Sequence, residues 1–318
     1  MKGTVVKGIG GFYFVHDGSD VVFGKARGNL KRNKELIYVG DIVDFDIDKS
    51  DMDGECVING VAERRNHLKR PPVSNLDMLV VVFSLLQPTV NYPVIDKLIA
   101  GCEAAGIEPV VCISKKDLVS ETELSDAVSI YKGIYPVATV NALTGEGCEE
   151  LKTLISGKRA ALAGPSGVGK STITNQLLGD LKDELLRKED LLIENSRRGV
   201  SRSGAGRLTS EIGDVSEKTG RGRHTTRHVE IFPLQDGSMI YDTPGFTSLD
   251  ICDVKAEDVK GLMPDIQSLS SGCKYSDCMH INEPECAVKE AVEEGKVASS
   301  RYESYLMMVE EAKAQKAY

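Results

Sequence analysis

Short runs of alternating apolar and polar residues, broken by glycines and charged turns, occupy residues 1–65. This spacing is typical of short β-strands joined by tight turns. The runs are TVVKGIGGFYFVH, DVVFGKA, GDIVDFDI and GECVINGVAE. Four or five such strands predict a small closed barrel such as an OB-fold, although a barrel with a purely structural role fits the same pattern.

Beyond this region the apolar runs become continuous and alternate with segments of helical periodicity. The stretch between the two patterns, KRPPVSNLD, is typical of a linker. The later pattern predicts a parallel α/β sheet, because strands buried on both faces lose their polar alternation. About six strands are expected, at 79–84, 109–114, 135–142, 158–164, 229–234 and 238–243, with an Asp236-Gly237 turn joining the last two as a hairpin.

Composition indicates where the protein acts. No stretch approaches the roughly 18 to 20 uninterrupted apolar residues of a membrane helix, so we expect a cytoplasmic protein with no membrane partner. The formal net charge of −9 argues against indiscriminate coating of nucleic acid. Basic runs at 25–34, 64–70 and 197–207 leave room for local contacts with RNA, although each run also fits an ordinary solvated face.

The segment GPSGVGKS follows one predicted strand and precedes a helix. It matches the phosphate-binding loop G-x-x-x-x-G-K-[ST] in the context that this motif requires. Its backbone N–H groups can converge on phosphate oxygens, Lys170 can reach the outer phosphates, and Ser171 can ligate Mg²⁺. The predicted phosphate-site residues are Gly164, Pro165, Ser166, Gly167, Val168, Gly169, Lys170, Ser171 and Thr172.

Two further elements fit a nucleoside triphosphatase. The last predicted strand ends in Asp-Thr-Pro-Gly, where Asp242 can hold Mg²⁺ through water and the Gly245 N–H can contact the γ-phosphate. Upstream, the basic segment GRGRHTTRH supplies Thr225 and Thr226, either of which can complete the magnesium shell when the triphosphate is bound.

The water-orienting glutamine that commonly follows Asp-x-x-Gly in small GTPases is replaced by Phe246. A phenyl ring cannot polarise water, so His224 is the candidate for this role, and a solvent-exposed or RNA-contacting histidine is the alternative. The predicted catalytic residues are His224, Lys170 and Thr225.

Base recognition is predicted at the ends of two other strands. A carboxylate at Asp117 can accept the N1 and N2 hydrogens of guanine, a donor pair that adenine lacks. The Ala142 N–H can bind guanine O6. The predicted base-site residues are Ser114, Lys115, Lys116, Asp117, Asn141 and Ala142.

Ser114 and Asn141 depart from the usual Asn-Lys-x-Asp and Ser-Ala sequences. Because serine is shorter than asparagine, we expect the loss of a bridge between the two base loops. The expected result is weaker nucleotide affinity with unchanged base preference.

The order of these loops is unusual, because both base loops precede the phosphate loop along the chain. Taking the strands cyclically from residue 158 restores the usual GTPase order. The sequence therefore predicts a circular permutation, in which the γ-phosphate sensor leads directly into the C-terminal segment.

That C-terminal segment contains Cys273-x₄-Cys278-x-His280-x₅-Cys286. Three thiolates and one imidazole form a closed tetrahedral set, which predicts one structural Zn²⁺ per chain. A disulfide would need an oxidising compartment and would leave the histidine unused. The remaining cysteines are expected to be small core residues, namely Cys56, Cys102, Cys112, Cys148 and Cys252.

The permuted order, GPSGVGKS, GRGRHTT, DTPGF and the cysteine pattern together resemble the ribosome small-subunit-dependent GTPase A family, RsgA or YjeQ. The expected fold class is therefore α/β, a circularly permuted P-loop GTPase domain flanked by an N-terminal all-β OB-fold barrel and a C-terminal α-helical zinc-binding domain. The expected bounds are 1–70, 71–250 and 251–318. A segment at 183–207 is expected to be an insertion.

The resemblance implies a GTPase that binds GTP and GDP with Mg²⁺, contacts the 30S ribosomal subunit and 16S rRNA, and is stimulated by that subunit during its late maturation. We expect a monomer. Two alternatives remain open at this point. One is a P-loop ATPase or kinase, which Asp117 with Ala142 disfavours, and the other is an RNA-binding assembly scaffold that uses nucleotide only as a conformational switch.

Overall fold

A computed structural model describes residues 1–28, 30, 36–47, 55–179, 181, 187, 229–243, 246, 247, 249 and 254–315. These residues form two compact units. The first draws on Met1–Leu76, Gly157–Ala161 and Leu178–Pro244, and the second on Asp77–Ser156, Leu162–Leu177 and Gly245–Tyr318. None of the helices in the described ranges has the length and apolar character that a membrane span requires.

The strands are β1 (Lys2–Ile9), β2 (Phe12–His16), β3 (Val21–Ala26), β4 (Ile42–Ile47), β5 (Cys56–Val61), β6 (His67–Lys69), β7 (Pro72–Ser74), β8 (Met78–Ser84), β9 (Glu108–Ser114), β10 (Val137–Val140), β11 (Arg159–Ala163), β12 (Glu230–Pro233) and β13 (Met239–Asp242). The α-helices are α1 (Tyr92–Ala105), α2 (Glu121–Tyr131), α3 (Cys148–Ile155), α4 (Lys170–Leu178), α5 (Pro264–Leu269), α6 (Ala287–Glu293) and α7 (Ser299–Gln315).

In the first unit, β1 to β5 form the predicted barrel. The strands pair in the order β1, β2, β3, β5, β4, and a further pairing of β1 with β4 closes the circle. Every second side chain of a strand points inward, so the alternating pattern of the sequence fills one apolar core. Its buried members include Val5, Val15, Val43, Phe45 and Ile58.

The same unit contains the predicted hairpin of β12 and β13. Gly237 has φ 84° in the turn, and the Ser238 N–H donates to Asp236 Oδ1 over 3.0 Å. β12 pairs antiparallel with β1, where Lys7 and Glu230 form a 2.7 Å ion pair, and β13 pairs parallel with residues 159–161 of β11.

The expectation of a linker at 69–77 was wrong. Most of this stretch belongs to an ordered hairpin of β6 and β7, with one proline at the turn and the other opening β7, positions where a missing N–H costs nothing. Buried polar contacts hold the hairpin to the barrel. Ser74 Oγ donates to the fully buried Asp41 over 2.7 Å, and Asn75 Nδ2 donates to the Gly40 carbonyl over 3.0 Å.

The second unit is built on a parallel sheet of β8, β9 and β10, with β9 in the middle. All seven residues of β8 are buried, as expected for a strand covered on both faces. Helices α1, α2 and α3 follow the three strands in turn. Because the strands are parallel, their carboxyl ends meet at one edge, which places the loops after β8, β9 and β10 together.

The C-terminal helices pack on α1 within this second unit. Their apolar core includes Val259, Met263, Ile266 and Tyr305, in contact with Ala100 of α1. A buried charge cluster accompanies the core, which we call the Arg301 cluster. It joins the fully buried Arg301 of α7 to the fully buried Asp96 of α1 over 2.7 Å, and to Asp265 of α5 over 2.7 Å.

The Arg301 cluster generates a stability prediction. Arg301→Ala leaves two buried carboxylates without their cation, which typically costs about 3–5 kcal/mol. Lys97→Ala is the matched control, because it breaks an exposed pair with Glu311 one residue along α1 and should cost about 0–1 kcal/mol. Urea unfolding followed by circular dichroism measures the free energy of unfolding of both variants. Equal decreases would show that the buried cluster stabilises the protein no more than the exposed pair does.

Candidate functional site

The phosphate loop connects β11 to α4, and its backbone requires glycine. Gly164 has φ 143°, and a Cβ atom there would lie 1.9 Å from the Val82 carbonyl oxygen of β8. Gly167 and Gly169 also adopt positive φ, 81° and 94°. These conformations favour residues without a side chain and leave the N–H groups at the start of α4 available for an anion.

Lys170 begins α4 and folds back over this loop. Its Nζ donates to the Gly164 and Pro165 carbonyls over 2.7 and 2.8 Å. Burial lowers the pKa of Lys170, because a charged amine is poorly solvated there. A bound phosphate would supply the missing counter-charge, and the role of Lys170 in holding it stays a prediction.

The first base loop begins where β9 ends. Lys115 adopts a left-handed conformation with φ 53° and donates from Nζ to the Gln87 carbonyl over 2.8 Å. A short 3₁₀ turn, Lys116–Leu118, follows and carries Asp117 on an exposed position. The carboxylate is therefore accessible to a ligand at the carboxyl edge of the sheet.

The second base loop, residues 141–147, is closed by its own hydrogen bonds. The Asn141 N–H donates to the Glu146 carbonyl over 2.9 Å, and the Gly145 N–H donates to the Asn141 carbonyl over 2.9 Å. The Asn141 side chain accepts from the Leu143 N–H over 3.1 Å. Asn141 thus holds the loop that presents Ala142.

Side-chain contacts connect these loops, and Ser114 makes one of them, while its expected effect on nucleotide affinity stays a prediction. Ser114 Oγ lies 2.6 Å from the Val168 carbonyl oxygen, which ties the end of β9 to the phosphate loop. The two base loops are joined by a different pair, Lys116 Nζ with Glu146 Oε1 at 2.6 Å. The shorter serine therefore does not leave the two base loops unconnected.

Some predicted site residues belong elsewhere or outside the described part. Asp242 ends β13, as expected, and belongs to the first compact unit. His224, Thr225, Thr226 and Gly245 lie outside the described residues, as does the expected insertion at 183–207 apart from residue 187. Their roles stay predictions.

The cysteine and histidine cluster predicted from spacing is assembled in the second unit. One ligand atom each from Cys273, Cys278, His280 and Cys286 lies within 4.8 Å of all the others. The Cys273 and Cys286 sulfurs are 3.9 Å apart, and His280 Nδ1 lies 3.5 and 3.4 Å from them. Tetrahedral Zn²⁺ with bonds of about 2.3 Å to sulfur separates its ligands by about 3.8 Å, so the donor set fits this metal.

Surrounding groups fix the orientation of the histidine ring. His280 Nε2 lies 3.0 Å from Ser270 Oγ, which leaves Nδ1 facing the sulfurs. Glu283 holds the turn by accepting from the Met279, Ile281 and Asn282 N–H groups. Burial alone would raise the pKa of Glu283, but these backbone donors outweigh it and lower the pKa to about 2.

The other described cysteines, Cys56, Cys102, Cys112 and Cys148, are buried free thiols. Burial raises the pKa of the Cys102 and Cys112 thiols, which makes them unreactive packing groups. This confirms the core role expected for these four residues, while Cys252 lies outside the described part.

The sequence analysis did not predict one residue that contacts the second base loop. Gln176 of α4 donates from Nε2 to the Ala142 carbonyl over 3.0 Å. No motif includes this position, and its partner is 34 residues away along the chain. An exposed glutamine in a helix carries no pattern that could have indicated it.

The two base loops precede the phosphate loop along the chain, and the parallel sheet that carries them follows an N-terminal barrel in the sequence. This order defines a circularly permuted GTPase. Family models agree, with the RsgA GTPase model matching residues 61–252 and the RsgA N-terminal domain model matching residues 2–54. The chain belongs to the RsgA GTPase family, and it is a GTP-hydrolysing enzyme.

Individual relatives span almost the whole chain. Small ribosomal subunit biogenesis GTPase RsgA of Caldanaerobacter subterraneus subsp. tengcongensis is 38% identical, covering 98% of this chain and 96% of the relative. RsgA 2 of Listeria monocytogenes serovar 1/2a is also 38% identical, covering 99% of each.

Solved structures agree with this assignment. YjeQ from Thermotoga maritima has a TM-score of 0.75 and 32% identity over 98% of each chain. YloQ, described as a circularly permuted GTPase, has a TM-score of 0.75 and 29% identity over 99% of this chain and 95% of its own.

The Ser114 contact predicts a change in nucleotide affinity. Ser114→Ala removes the group that ties β9 to the phosphate loop, so GDP affinity should fall about threefold to tenfold, the equivalent of one hydrogen bond. Titration calorimetry measures the dissociation constant. Ser129→Ala, at an exposed position of α2, is the control, and equal affinities for the two variants would contradict the linking role.

The metal cluster predicts a change in zinc content. Cys286→Ser removes one of four ligands, so purified protein should lose most of its zinc by elemental analysis, while the Cys148→Ala control keeps it. Because the free energy of metal binding adds to the free energy of folding, the Cys286→Ser melting temperature should also fall. Retention of zinc by this variant would show that the four side chains do not form the site.

Proposed function

We propose that the protein binds the small (30S) ribosomal subunit through 16S rRNA, assists its late maturation, and hydrolyses GTP faster when bound to it. The full-length relatives are named small ribosomal subunit biogenesis GTPases, which supports the ribosomal part. The protein is also proposed to act in the cytoplasm and to be a monomer. The proposed domains are an OB-fold at 1–70, the GTPase at 71–250 and a zinc-binding helical domain at 251–318.

The observation that carries the GTP-binding part is the linkage of the three loops within one compact unit. The Ser114 to Val168 contact joins the first base loop to the phosphate loop, and Lys116 with Glu146 joins the two base loops. A single nucleotide can therefore be held at both ends by loops that constrain one another. In this proposal Asp117 accepts the N1 and N2 hydrogens of guanine.

The remaining proposed roles follow the chemistry of each side chain. Lys170 binds the outer phosphates, and Gly245 donates its N–H to the γ-phosphate. Mg²⁺ bound with GTP neutralises phosphate charge, and its proposed protein ligands are Ser171, Thr225, Thr226 and Asp242. The Cys273, Cys278, His280 and Cys286 cluster holds a structural Zn²⁺, since four protein ligands leave no open position for substrate.

His224 is the proposed group that orients the attacking water. It lies directly before the threonines expected to contact Mg²⁺, and Phe246 follows Asp-Thr-Pro-Gly where a glutamine is common. We expect hydrolysis by the free protein to be slow and to be accelerated by the ribosomal subunit, since activators raise the turnover of other GTPases by up to about 10⁵-fold.

The experiment measures GTP turnover with and without purified small ribosomal subunits. Wild-type protein should be stimulated by the subunits, whereas His224→Ala should lose about 10²–10⁴-fold of the stimulated kcat with little change in GDP affinity. Lys170→Ala should lose nucleotide binding as well.

His228→Ala, in the same segment, is the control for the His224 change. A wild-type rate that subunits do not alter would overturn the ribosomal proposal. If His224→Ala still supported subunit maturation in full, the nucleotide would act only as a conformational switch on an RNA-binding scaffold.

A further inference from the structure

The carbonyl group of Ala142 is held from outside its own loop. The other hydrogen bonds of the second base loop run between Asn141, Leu143, Gly145 and Glu146. The Ala142 carbonyl instead accepts from Gln176 Nε2 over 3.0 Å. Gln176 also borders the loop closely, since a Cβ atom on Gly145 would lie 3.4 Å from Gln176 Oε1.

Two contacts fix the peptide plane that follows Ala142. Its carbonyl accepts from Gln176, and its N–H, which belongs to Leu143, donates to the Asn141 side chain over 3.1 Å. With this plane held at both polar groups, rotation about ψ of Ala142 is restricted. The Ala142 N–H lies in the preceding peptide plane, whose Asn141 carbonyl accepts from the Gly145 N–H over 2.9 Å, so the planes on both sides of the Ala142 Cα are held and a shift of one is passed to the other.

Gln176 connects this peptide to the phosphate loop. It lies on α4, whose first residue is Lys170, and the helix is a rigid element with hydrogen bonds along its length. A displacement of the phosphate loop would therefore move the Gln176 amide and the Ala142 peptide with it.

We propose that Gln176 is a positioning residue for base recognition, which aims the Ala142 N–H at the O6 oxygen of a 6-oxopurine and couples this contact to the phosphate loop. The inference rests on the proposed role of Ala142 in binding guanine. The ligand class that this contact selects is the 6-oxopurines, because guanine and hypoxanthine carry O6, whereas adenine presents an amino group at that position.

The test compares four ligands on the full-length protein: GDP, IDP, ADP and inorganic tripolyphosphate. Gln176→Ala should weaken the binding of GDP and of IDP by the same factor, about threefold to tenfold, because both bases contain O6. The affinities for tripolyphosphate and ADP should not change, because neither ligand makes the O6 contact. Gln176→Glu keeps the size of the side chain but lacks the donor, and it should weaken GDP and IDP at least as much.

Asn175→Ala, at the preceding exposed position of α4, is the matched control and should bind all four ligands as wild type does. Unchanged GDP binding by both Gln176 variants would overturn the inference. Equal weakening of all four ligands would overturn it as well, because it would show a general structural role without a contribution to base recognition.

Asp117→Ala separates this inference from the proposed function. Asp117 is proposed to contact the N2 amino group that IDP lacks, so its loss should remove the preference of wild type for GDP over IDP. If that preference stayed, the base would lie elsewhere, and the proposed site and the role of Gln176 would both fall. If it disappeared while Gln176→Ala had no effect, only the inference about Gln176 would fail.

Discussion

The contact between Ser114 Oγ and the Val168 carbonyl, at 2.6 Å, is the constraint on which the nucleotide site depends. Ser114 ends a central strand, and Val168 lies inside the phosphate loop. Both groups are buried, so neither can exchange this contact for water without cost. The separation between the two ends of the site is set by the protein before a nucleotide binds, which reduces the ordering cost of binding.

Circular permutation changes the order of these loops along the chain and preserves their arrangement at the edge of the sheet. What it alters is the connection after Asp-Thr-Pro-Gly, which leads into the C-terminal segment. In the second compact unit that segment packs on α1 through an apolar core and through the Arg301 cluster. The metal cluster lies in the same segment, so metal binding, helix packing and the nucleotide loops belong to one unit.

Local signals explain which features could be predicted from the sequence. The barrel strands, the α/β strands, the Asp236-Gly237 turn and the phosphate loop all rest on spacings within a few residues. The four side chains of the cysteine and histidine cluster lie within 14 residues, 273–286, and their spacing was sufficient to predict that they come together. One error of interpretation concerned Pro71 and Pro72, which are typical of a linker although both fit a short hairpin whose contacts with Gly40 and Asp41 are distant in sequence.

Contacts between distant residues could not be predicted because no periodic pattern encodes them. Arg301 and Asp96 are 205 residues apart, and Ser74 and Asp41 are 33 apart. Each pair is polar and buried, an arrangement that hydrophobic periodicity cannot indicate. Exposed Gln176 is similar, since its role depends on a backbone carbonyl that any residue at position 142 would provide.

Two base loops and a phosphate loop are proposed to hold opposite ends of one guanine nucleotide. A crystal structure of the protein with a non-hydrolysable GTP analogue and Mg²⁺ tests it most directly. The guanine N1 and N2 atoms should lie within about 3.2 Å of the Asp117 carboxylate, and O6 should lie within the same distance of the Ala142 nitrogen. A purine ring lying away from both residues, with the phosphates still in the loop, would contradict it.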